Sequence, residues 1–364
     1  MTSEIINTKD YNIFFGNNSL AEFEKFIFKE VNNKQKLFFL VDENTKKHCL
    51  SVLIRKNKIF ENAEIINIKS GEENKNLNTV NFIWEQLAEQ NAERSSILIN
   101  LGGGVISDIG GFAASTFKRG IRFINIPTTL LAMVDATIGG KTGIDLQNLK
   151  NLVGLFSNPI AVFVFPVFLK TLEKRQITAG LAEMIKHGLI SDKNYFEKLK
   201  SSKIDKIDDF QKAILSSIKI KNKITEIDPF EKGERKKLNF GHTIGHAIES
   251  WSLKNETSPL LHGEAVAIGM ICESYISEKI STLSKSELDE ITNYLLSVFP
   301  HFKIKKNHIP EIVKIIYHDK KNNAGKFNFS LLKSIGNAEI NRDCEIEIIE
   351  DSIQYYLNRI PSDL

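Results

Sequence analysis

Three of the eight histidines in this chain lie between positions 242 and 262. His242 and His246, in the segment HTIGH, are four residues apart, so on a helix they share one face. The HExxH helix of zinc proteases has the same spacing, but Thr243 stands where that motif needs a glutamate base, which argues against a metalloprotease. His262 begins another predicted helix, HGEAVAIGM, whose small residues suit close packing. These imidazoles are candidate ligands for a metal ion.

A carboxylate that could complete such a site lies upstream. Glu183 belongs to a predicted helix over Ile177–Ile190, whose residues around it are apolar or small except for Lys186 and His187. A carboxylate on that helix needs a partner that offsets its desolvation. The partner is either Lys186 or His187, in an internal ion pair, or a metal ion. Two histidines and one carboxylate would leave one coordination position open, as in catalytic zinc sites.

A glycine-rich turn joins a predicted strand to a predicted helix in SILINLGGGVISDIGGFAAS, residues 96–115. Glycines let the backbone approach a pyrophosphate, and the following helix offers free N–H groups and a positive dipole end. The spacing is not GxGxxG, because Ser107 stands at the third glycine position. The turn is therefore either a nucleotide site or an ordinary tight connection. In the second case Asp108, in the first turn of the helix, would serve as a stabilising negative charge.

A second glycine segment, Gly139-Gly140-Lys141-Thr142, is similar to the end of a phosphate-binding P-loop. That motif needs a glycine five residues before Gly140, and Asp135 occupies the position. We therefore exclude a P-loop NTPase, although Lys141 can still bind an anion.

Several basic side chains stand beside apolar positions. On the predicted helix Asp208–Thr225 the apolar stripe continues to Lys221, so this lysine points inward or toward a cleft, unless only its stem is buried at a helix end. Arg235, Asn239 and His242 follow at i, i+4 and i+7 and could share a face. Such residues favour a small polyanion with phosphate and carboxylate groups. Further polar candidates are Arg119, Lys141, Lys150, Asn151, Lys320 and Lys321.

The elements that must position these residues are predicted from hydrophobic periodicity. In the first half, short apolar runs alternate with helical stretches such as Asn76–Gln90, which predicts a parallel sheet. Each run ends in small or polar residues, and ligands bind at the carboxyl ends of such strands. The predicted strands are Lys36–Val41, Ala63–Ile68, Ser96–Leu101, Arg122–Ile126 and Ile160–Phe165.

After about Thr171 the pattern becomes mainly helical, with one short strand predicted at Lys326–Leu332. The sequence thus predicts an α/β N-terminal domain with a parallel, Rossmann-like sheet over residues 1–170 and a mainly α-helical C-terminal domain over residues 171–364. The predicted helices of the second domain are Ile177–Ile190, Asp208–Thr225, Phe240–Trp251, His262–Ser277 and Ser286–Ser297.

Composition limits the class of protein. The chain has 364 residues, with 48 Lys and Arg against 45 Asp and Glu and a net charge of +3. This balance argues against nucleic-acid binding by bulk charge, which needs a marked basic excess. Three scattered cysteines argue against a disulfide framework, and we find neither a signal peptide nor a run of about 20 apolar residues. We expect a soluble cytoplasmic protein without nucleic-acid or membrane partners.

A series of segments between residues 70 and 325 occurs in a characteristic order. They are SGEENK, GGGVISDIGGFAAS, KRGIRFINIPTTLLAMVDATIGGKTGID, KNLVG, GLAEMIKHG, LNFGHTIGHAIE, HGEAVAIGM and HDKKNNAG. Together they resemble the 3-dehydroquinate synthase family of sugar-phosphate cyclases, and the block from Gly102 to Gly154 is the most specific. The resemblance implies an NAD-binding α/β domain over residues 1–170, a helical metal- and substrate-binding domain over residues 171–364, and a homodimer.

The activity implied by the resemblance is that of a phosphate-eliminating carbon–oxygen lyase of the shikimate pathway, which leads to aromatic amino acids. The substrate would be 3-deoxy-D-arabino-heptulosonate 7-phosphate and the products 3-dehydroquinate and phosphate. NAD would be reduced and reoxidised within one turnover, and one divalent metal, zinc or cobalt, would act as a Lewis acid. The implied metal ligands are Glu183, His242 and His262, so His187 and His246 would not be ligands. His246 is then a candidate for proton transfer.

The remaining functional residues of the family carry over position by position. Contacts with NAD are implied for Asp42, Asn44, Glu72, Lys75, Gly104, Val105, Asp108, Thr128, Thr129, Lys141, Lys150 and Thr171. Contacts with the substrate or catalytic roles are implied for Arg119, Asp135, Lys141, Asn151, Lys186, Lys221, Arg235, Asn239 and His246, with one of Lys320 and Lys321. Arg119 is also a candidate to reach the site of a neighbouring subunit.

Three alternatives to this activity remain. Another sugar-phosphate cyclase, such as 2-deoxy-scyllo-inosose synthase or 2-epi-5-epi-valiolone synthase, would act on a substrate without a carboxylate, which Lys221 and Arg235 disfavour. A metal-dependent polyol dehydrogenase would consume NAD as a substrate. A catalytically silent NAD-binding regulatory protein would not need an intact set of metal ligands.

Overall fold

The computed structural model describes residues 3–17, 19–30, 35–54, 60, 62–146, 149–201, 207–320 and 327–359. The internal contacts of the chain divide it into two compact units. The first unit comprises Met1–Glu173 and Lys221–Pro229, and the second comprises Lys174–Ile220 and Phe230–Leu364.

The first unit is an α/β structure. Its strands are β1 (Glu4–Asn7), β2 (Asn12–Phe15), β3 (Leu37–Asp42), β4 (Glu64–Ile68), β5 (Ile97–Gly102), β6 (Arg122–Pro127), β7 (Lys141–Leu146), β8 (Leu149–Phe156) and β9 (Ala161–Val164). Its helices are α1 (Ser19–Glu30), α2 (Glu43–Thr45), α3 (Ser51–Ile54), α4 (Leu77–Glu89) and α5 (Gly104–Thr116), with a π-helical stretch at Lys46–Leu50. Among the described residues, one sheet has the order β1-β2-β9-β6-β5-β3-β4, and all of its pairs are parallel except β1 with β2.

The parallel sheet predicted from the sequence is confirmed, because the predicted strands pair in parallel. All residues of β5 and all but the last of β3 are buried, as expected for central parallel strands made of continuous apolar runs. The five predicted strands correspond to β3, β4, β5, β6 and β9, with ends that differ by at most one residue. The N-terminal elements β1, β2 and α1 were not predicted.

The sheet contains a topological switch point between β3 and β5. The chain leaves β3 toward β4 on one side, whereas it leaves β5 toward β6 on the other side. Open α/β sheets bind ligands at the carboxyl ends of strands whose connections diverge in this way. Asp42 ends β3 and Gly102 ends β5, so both predicted NAD-contacting turns follow the two strands at this point.

The strands β7 and β8 form a separate antiparallel pair that was not predicted. Gly143 pairs with Gly154 in its middle, and a Cβ on Gly143 would lie 2.8 Å from the carbonyl oxygen of Val153. Glycines at such positions permit close backbone approach, but they also interrupt the side-chain alternation by which a strand is recognised in a sequence. The hairpin places Lys150 and Asn151 on β8.

The second unit is mainly helical. Its helices are α6 (Lys174–Ser191), α7 (Lys193–Ser201), α8 (Ile207–Ile227), α9 (His242–Asn255), α10 (His262–Ile280), α11 (Lys285–Val298), α12 (Ile309–Lys320) and α13 (Ile346–Arg359). The strands β10 (Phe329–Ser334) and β11 (Asn337–Arg342) form an antiparallel pair. The five predicted helices correspond to α6, α8, α9, α10 and α11. The residues of α8 after Ile220 belong to the segment Lys221–Pro229, which is part of the first unit. The predicted strand at Lys326–Leu332 corresponds to β10, although Lys326 itself lies outside the described residues.

The core of the second unit is built around α10. From Gly263 to Ser277 every residue of α10 except Tyr275 is buried, and the helix packs against α6, α9, α11 and α13. Apart from the buried Glu264 and Glu273, this stretch is made of apolar or small residues, which suits a central position. Within the described part of the chain, no helix combines the length and the apolar character needed to cross a membrane.

Candidate active site and metal centre

The three histidines singled out in the sequence come together in the second unit. His242 is the first residue of α9, His246 lies one turn later, and His262 is the first residue of α10. The ring centroid of His242 is 5.1 Å from that of His246 and 5.4 Å from that of His262. Ligand atoms of all three rings lie within 4.8 Å of one another. The predicted helical placement of these histidines is therefore confirmed.

Glu183 on α6 lies at the same place. Its Oε1 atom is 3.5 Å from Nε2 of His242 and 3.7 Å from Nε2 of His262, and only 1% of its side chain is exposed. Its Oε2 atom forms an ion pair with Lys186, the neighbour one turn along α6. His187 lies with Nδ1 at 2.7 Å from Oγ of Ser217. The carboxylate thus has both a lysine partner and two imidazoles within reach.

The distances in this cluster fit a divalent metal ion. Bonds of 2.0–2.2 Å at tetrahedral angles place neighbouring ligand atoms roughly 3.4 Å apart, which is close to the two separations from Glu183 Oε1. One carboxylate and two imidazoles form a donor set that suits zinc or cobalt. Three protein ligands would leave a position open for a substrate oxygen.

In His242 and His262, the second ring nitrogen lies close to an acceptor that orients the ring. Nδ1 of His242 lies 3.2 Å from the carbonyl oxygen of Phe240, and Nδ1 of His262 lies 3.1 Å from Oε2 of Glu249. Each acceptor favours a proton on Nδ1, so Nε2, the nitrogen that lies within 4 Å of Glu183, is the one available to a metal ion. Glu249 was not predicted from the sequence, although its position at i+7 from His242 and i+3 from His246 on one helix was a signal that could have identified it.

The surroundings set the protonation of the two imidazoles differently. Burial, and then the charge of Lys186, lowers the pKa of His242 well below its ordinary value, so this ring is a neutral donor at pH 7. Burial alone would also lower the pKa of His262, but the carboxylates of Glu249 and Glu183 outweigh burial and raise that pKa to about 9. A metal ion that binds at neutral pH therefore displaces a proton from His262.

His246 is close enough to be an alternative nitrogen donor. Its ring centroid is 5.5 Å from that of His262, and the structure brings it to the cluster as closely as it brings the other two histidines to each other. Its role in proton transfer rather than in metal binding stays a prediction.

The expectation that Arg235, Asn239 and His242 share one helix face is wrong. Arg235 and Asn239 lie in a 3₁₀ turn, Glu234–Asn239, that ends before α9 begins. Gly241, with φ of 80°, separates this turn from α9, so the three residues do not follow one helical repeat. Arg235 is nevertheless buried, with 2% exposure.

A second polar cluster, in the first unit, surrounds Lys75. The Lys75 ammonium donates to Oδ2 of Asp108 at 2.6 Å and to Oδ1 of Asn151 at 2.5 Å, and only 4% of its side chain is exposed. Oε1 of Glu72 lies 3.9 Å from Nζ of Lys75 and 3.7 Å from Nζ of Lys150. The structure thus brings together four residues predicted to contact NAD, and it adds Asn151, which the resemblance assigned to the substrate.

The expectation that Asp108 stabilises the first turn of its helix is wrong. Asp108 is the fifth residue of α5, beyond the first turn, and its charge is paired with Lys75. Burial alone would lower the pKa of Lys75, but Asp108 and then Glu72 outweigh burial and raise the pKa to about 12. Lys75 is therefore a cation throughout the neutral range.

Other predicted NAD contacts lie at the carboxyl edge of the sheet. Gly104 and Val105 begin α5, whose N-cap residue Gly103 makes no side-chain cap. A helix start of this kind presents backbone N–H groups to an anion. Thr128 and Thr129 follow β6 directly, and the Thr128 side chain is buried.

The remaining predicted contacts are more dispersed in the chain. Asp42 caps α2 by accepting the Thr45 N–H at 2.7 Å, and Asn44 is exposed on the same short helix. Lys141 is exposed at the start of β7, and Thr171 is exposed at the end of a 3₁₀ turn, Pro166–Thr171.

Lys221 is buried, as its place on the apolar stripe predicts. Its Nζ atom lies 2.5 Å from Oδ1 of Asp135, another predicted substrate residue, and 8% of its side chain is exposed. Lys212, Lys219 and Lys223 on the same helix are exposed. The structure thus distinguishes Lys221 from its neighbours on the helix.

Three further predicted substrate contacts have different surroundings. Asn239 donates through Nδ2 to Oε1 of Glu231 at 2.6 Å. Glu231 was not predicted from the sequence as a partner of Asn239. Arg119 is exposed in a turn after α5, where its φ is 68°. The contact predicted for one of Lys320 and Lys321 stays a prediction, because the side chain of Lys320 and all of Lys321 lie outside the described residues.

We expect the Lys75→Met substitution to lower the free energy of unfolding by about 2–3 kcal/mol, because it leaves the carboxylate of Asp108, of which 19% is exposed, without its cation. Urea denaturation at pH 7 measures this loss. Adding Asp108→Asn should restore part of the stability, since the amide carries no charge.

The matched control for this prediction is Lys25→Met. Lys25 also forms an ion pair, with Glu22 at 3.2 Å, but 74% of its side chain is exposed. Exposed pairs contribute little to stability, so this variant should unfold close to the wild type. Equal losses from the two substitutions would contradict a stabilising role for the Lys75 cluster.

Residues 65–179 match the family model of the 3-dehydroquinate synthase N-terminal domain, and residues 180–322 match that of the C-terminal domain. A 3-dehydroquinate synthase of Parabacteroides distasonis is 44% identical over 323 residues, 88% of this chain and 91% of the relative. A 3-dehydroquinate synthase of Clostridium botulinum is 41% identical over 336 residues, 91% of this chain and 94% of the relative.

A solved structure shares the fold over almost the whole chain. It is 2-deoxy-scyllo-inosose synthase complexed with carbaglucose-6-phosphate, NAD⁺ and Co²⁺. The two chains are 26% identical, the match covers 97% of this chain and 99% of the other, and the TM-score is 0.84.

The fold and the site define the class of the sugar-phosphate cyclases. One unit has the parallel sheet and its glycine turn, and the other has the cluster of histidines and glutamate. The similarity to 2-deoxy-scyllo-inosose synthase agrees with this class. Within that class, the identity and coverage of the curated relatives identify the family. The chain belongs to the 3-dehydroquinate synthase family.

Proposed function

We propose that this chain converts 3-deoxy-D-arabino-heptulosonate 7-phosphate into 3-dehydroquinate and phosphate, as a phosphate-eliminating carbon–oxygen lyase of the shikimate pathway. The observation that carries the proposal is the cluster of Glu183, His242 and His262, with separations of 3.5 and 3.7 Å, in a member of the 3-dehydroquinate synthase family. An identity of 44% to a curated 3-dehydroquinate synthase, against 26% to 2-deoxy-scyllo-inosose synthase, supports this activity over that of another cyclase.

The proposed cofactors are NAD and one divalent metal, zinc or cobalt. When bound, NAD supplies a reversible hydride acceptor and the metal supplies a Lewis acid. Glu183, His242 and His262 would hold the metal, and Glu249 would keep the imidazole of His262 oriented. Lys186, which shares the Glu183 carboxylate, adds a positive charge beside the metal site.

The domain over residues 1–170 is proposed to bind NAD, and the domain over residues 171–364 to bind the metal and the substrate. Gly104 and Val105 would offer backbone N–H groups to the pyrophosphate. Lys75, held by Asp108, would keep the polar edge of the NAD site ordered. The rest of the proposed NAD set is Asp42, Asn44, Glu72, Thr128, Thr129, Lys141, Lys150 and Thr171.

The substrate residues are proposed to act mainly by binding and orienting a molecule with a phosphate and a carboxylate. Lysine and arginine side chains recognise such groups through charge-assisted hydrogen bonds. Holding the substrate in the right geometry against the groups that react with it contributes a large part of the rate. His246 would move a proton. The remaining residues of the proposed set are Arg119, Asp135, Lys141, Asn151, Lys186, Lys221, Arg235 and Asn239.

We also propose that the enzyme acts in the cytoplasm as a homodimer. The exposed position of Arg119 on the turn after α5 supports its candidacy for contact with the site of a neighbouring subunit.

We expect the purified protein, supplied with NAD and zinc or cobalt, to release phosphate from the heptulosonate phosphate with no net formation of NADH. The reason is that hydride removed early in the turnover is returned before product leaves. Phosphate release and the absorbance of NADH are measured in the same sample.

Two controls make this assay decisive. Removal of the metal with a chelator should abolish phosphate release, and its replacement should restore it. Net accumulation of NADH would indicate a polyol dehydrogenase, and the absence of phosphate release from a metal-replete sample would contradict the proposed function.

A further inference from the structure

The helix that carries His242 begins without a capping side chain of its own. The N-cap residue of α9 is Gly241, and it makes no side-chain cap. Helices usually place Ser, Thr, Asp or Asn there to accept a free backbone N–H. A side chain at this position is excluded, because a Cβ on Gly241 would lie 2.5 Å from Cγ of Met270 and 3.1 Å from the carbonyl oxygen of Val266.

A carboxylate from the neighbouring helix takes the place of this cap. Glu273 on α10 is fully buried and accepts the N–H of Gly241 through Oε2 at 2.6 Å. Its Oε1 atom accepts the N–H of Ile244 at 3.1 Å. A negative charge at a helix N-terminus is favourable, and hydrogen bonds from N–H groups to a carboxylate are among the stronger ones. The two bonded N–H groups lie on either side of His242.

The reach of Glu273 depends on an unusually close contact between α9 and α10. A Cβ on Gly269 would lie 2.0 Å from the carbonyl oxygen of Gly241 and 2.7 Å from the N atom of Gly245. A Cβ on Gly245 would in turn lie 3.0 Å from the carbonyl oxygen of Ala265. These glycines let the two backbones touch, which brings the carboxylate of one helix to the N-terminus of the other.

The anchored turn contains the hydrogen-bond acceptor that orients the His242 ring. His242 is the first residue of α9, where a helix without a cap frays most readily. The acceptor of its Nδ1 atom is the carbonyl oxygen of Phe240, in the same turn. Fixing Gly241 and Ile244 therefore fixes both the Cα of His242 and the partner that sets the direction of its Nε2 atom toward Glu183.

We propose that Glu273 is a positioning residue of the metal centre, which caps α9 from outside the helix and thereby holds His242 in the geometry that a metal ion requires. The proposal rests on the proposed function, because it takes Glu183, His242 and His262 as the metal ligands. Glu273 itself neither binds the metal nor touches the substrate in this proposal.

The test is the Glu273→Gln variant, which keeps the size of the side chain but removes its charge and turns one acceptor into a donor that faces an N–H group. We expect the dissociation constant for zinc or cobalt, measured by competition with a chromophoric chelator, to rise about 10- to 100-fold, as is typical when support of a metal ligand is lost. We also expect the visible absorption bands of the cobalt-loaded protein to change in position and intensity, because they report ligand geometry.

The matched control is Ser284→Ala, which removes an ordinary N-cap of α11 in the same unit. This variant should melt at a lower temperature and should keep the metal dissociation constant and the cobalt spectrum of the wild type. If Glu273→Gln melts lower but binds metal as the wild type does, Glu273 is only a structural cap and the proposal is overturned.

Two further outcomes are distinguishable. A wild-type protein that binds neither metal would contradict the proposed function and not this inference alone. If Glu273→Gln does not fold, Glu273→Asp retains the charge with a shorter reach, and we expect it to fold with weakened metal binding. Failure of both variants to fold would show that Glu273 determines the fold itself and would overturn the positioning role.

Discussion

A His262→Ala variant is expected to lose bound metal and catalytic activity together. His262 is one of three proposed ligands, its Nε2 atom lies 3.7 Å from Glu183 Oε1, and Glu249 orients its ring. Removing one of three protein ligands weakens binding of the ion that polarises the substrate. We expect kcat/KM to fall on the order of 10³-fold, or about 4 kcal/mol of transition-state stabilisation. Metal content by elemental analysis and phosphate release are measured on the same preparation.

Two other histidines provide the controls for this experiment. His301 lies elsewhere in the second unit, with Nε2 at 3.2 Å from the carbonyl oxygen of Leu296, so His301→Ala should keep its metal and its activity. His246→Ala should keep its metal but lose on the order of 10²-fold in rate if His246 transfers a proton. A His262→Ala protein with a full complement of metal, or a His246→Ala protein without metal, would refute the proposed ligand set.

A Lys221→Met variant is expected to impair the handling of substrate while leaving metal content unchanged. The ammonium of Lys221 is almost completely withdrawn from solvent and lies 2.5 Å from Oδ1 of Asp135, so both charges are held in place before any substrate arrives. A preorganised cation binds an anionic group without the cost of ordering a flexible side chain. We expect kcat/KM to fall roughly 10²-fold, or about 3 kcal/mol, mainly through a higher KM.

The control for Lys221 lies two residues further along the same helix. Lys223 is exposed on α8, so Lys223→Met removes an equal charge without touching the buried pair and should leave the kinetics unchanged. Thermal unfolding of both variants separates a loss of stability from a loss of binding. Unchanged kinetics in Lys221→Met, with lowered stability, would make the pair with Asp135 purely structural.

Local patterning explains why so much of the fold was predictable. The strands β3 and β5 are continuous apolar runs that end in polar or glycine residues, and this pattern is visible without knowledge of what packs against them. The hairpin of β7 and β8 escaped prediction because Gly143 and Gly154 interrupt the alternation of its strands. The 3₁₀ turn at Glu234–Asn239 escaped for a related reason, since a spacing of i, i+4 and i+7 does not reveal a break in the helix.

The residue types of the candidate site were predictable from the sequence, but the contacts between its side chains were not. Glu183, His242 and His262 were recognisable as possible donors from spacing and from the apolar character of their helices. Whether Glu183 would pair with Lys186 or His187 or bind a metal ion could not be decided from position. In the structure it pairs with Lys186 and also lies 3.5 Å from His242. The partners of Lys75 lie 33 and 76 residues away, a separation over which periodicity carries no information.

The sequence by itself determined the five parallel strands, the five helices predicted for the second unit, the donor chemistry of the candidate ligands and the inward direction of Lys221. Each of these depends on neighbours within a few residues. Only the tertiary structure decided that Glu249 orients His262, that Asp108 pairs with Lys75 and that Glu273 caps the helix of His242. The physical reason is that these contacts depend on how closely separate elements approach. At α9 and α10 that approach is set by glycines whose missing side chains have an effect only once the two helices are packed together.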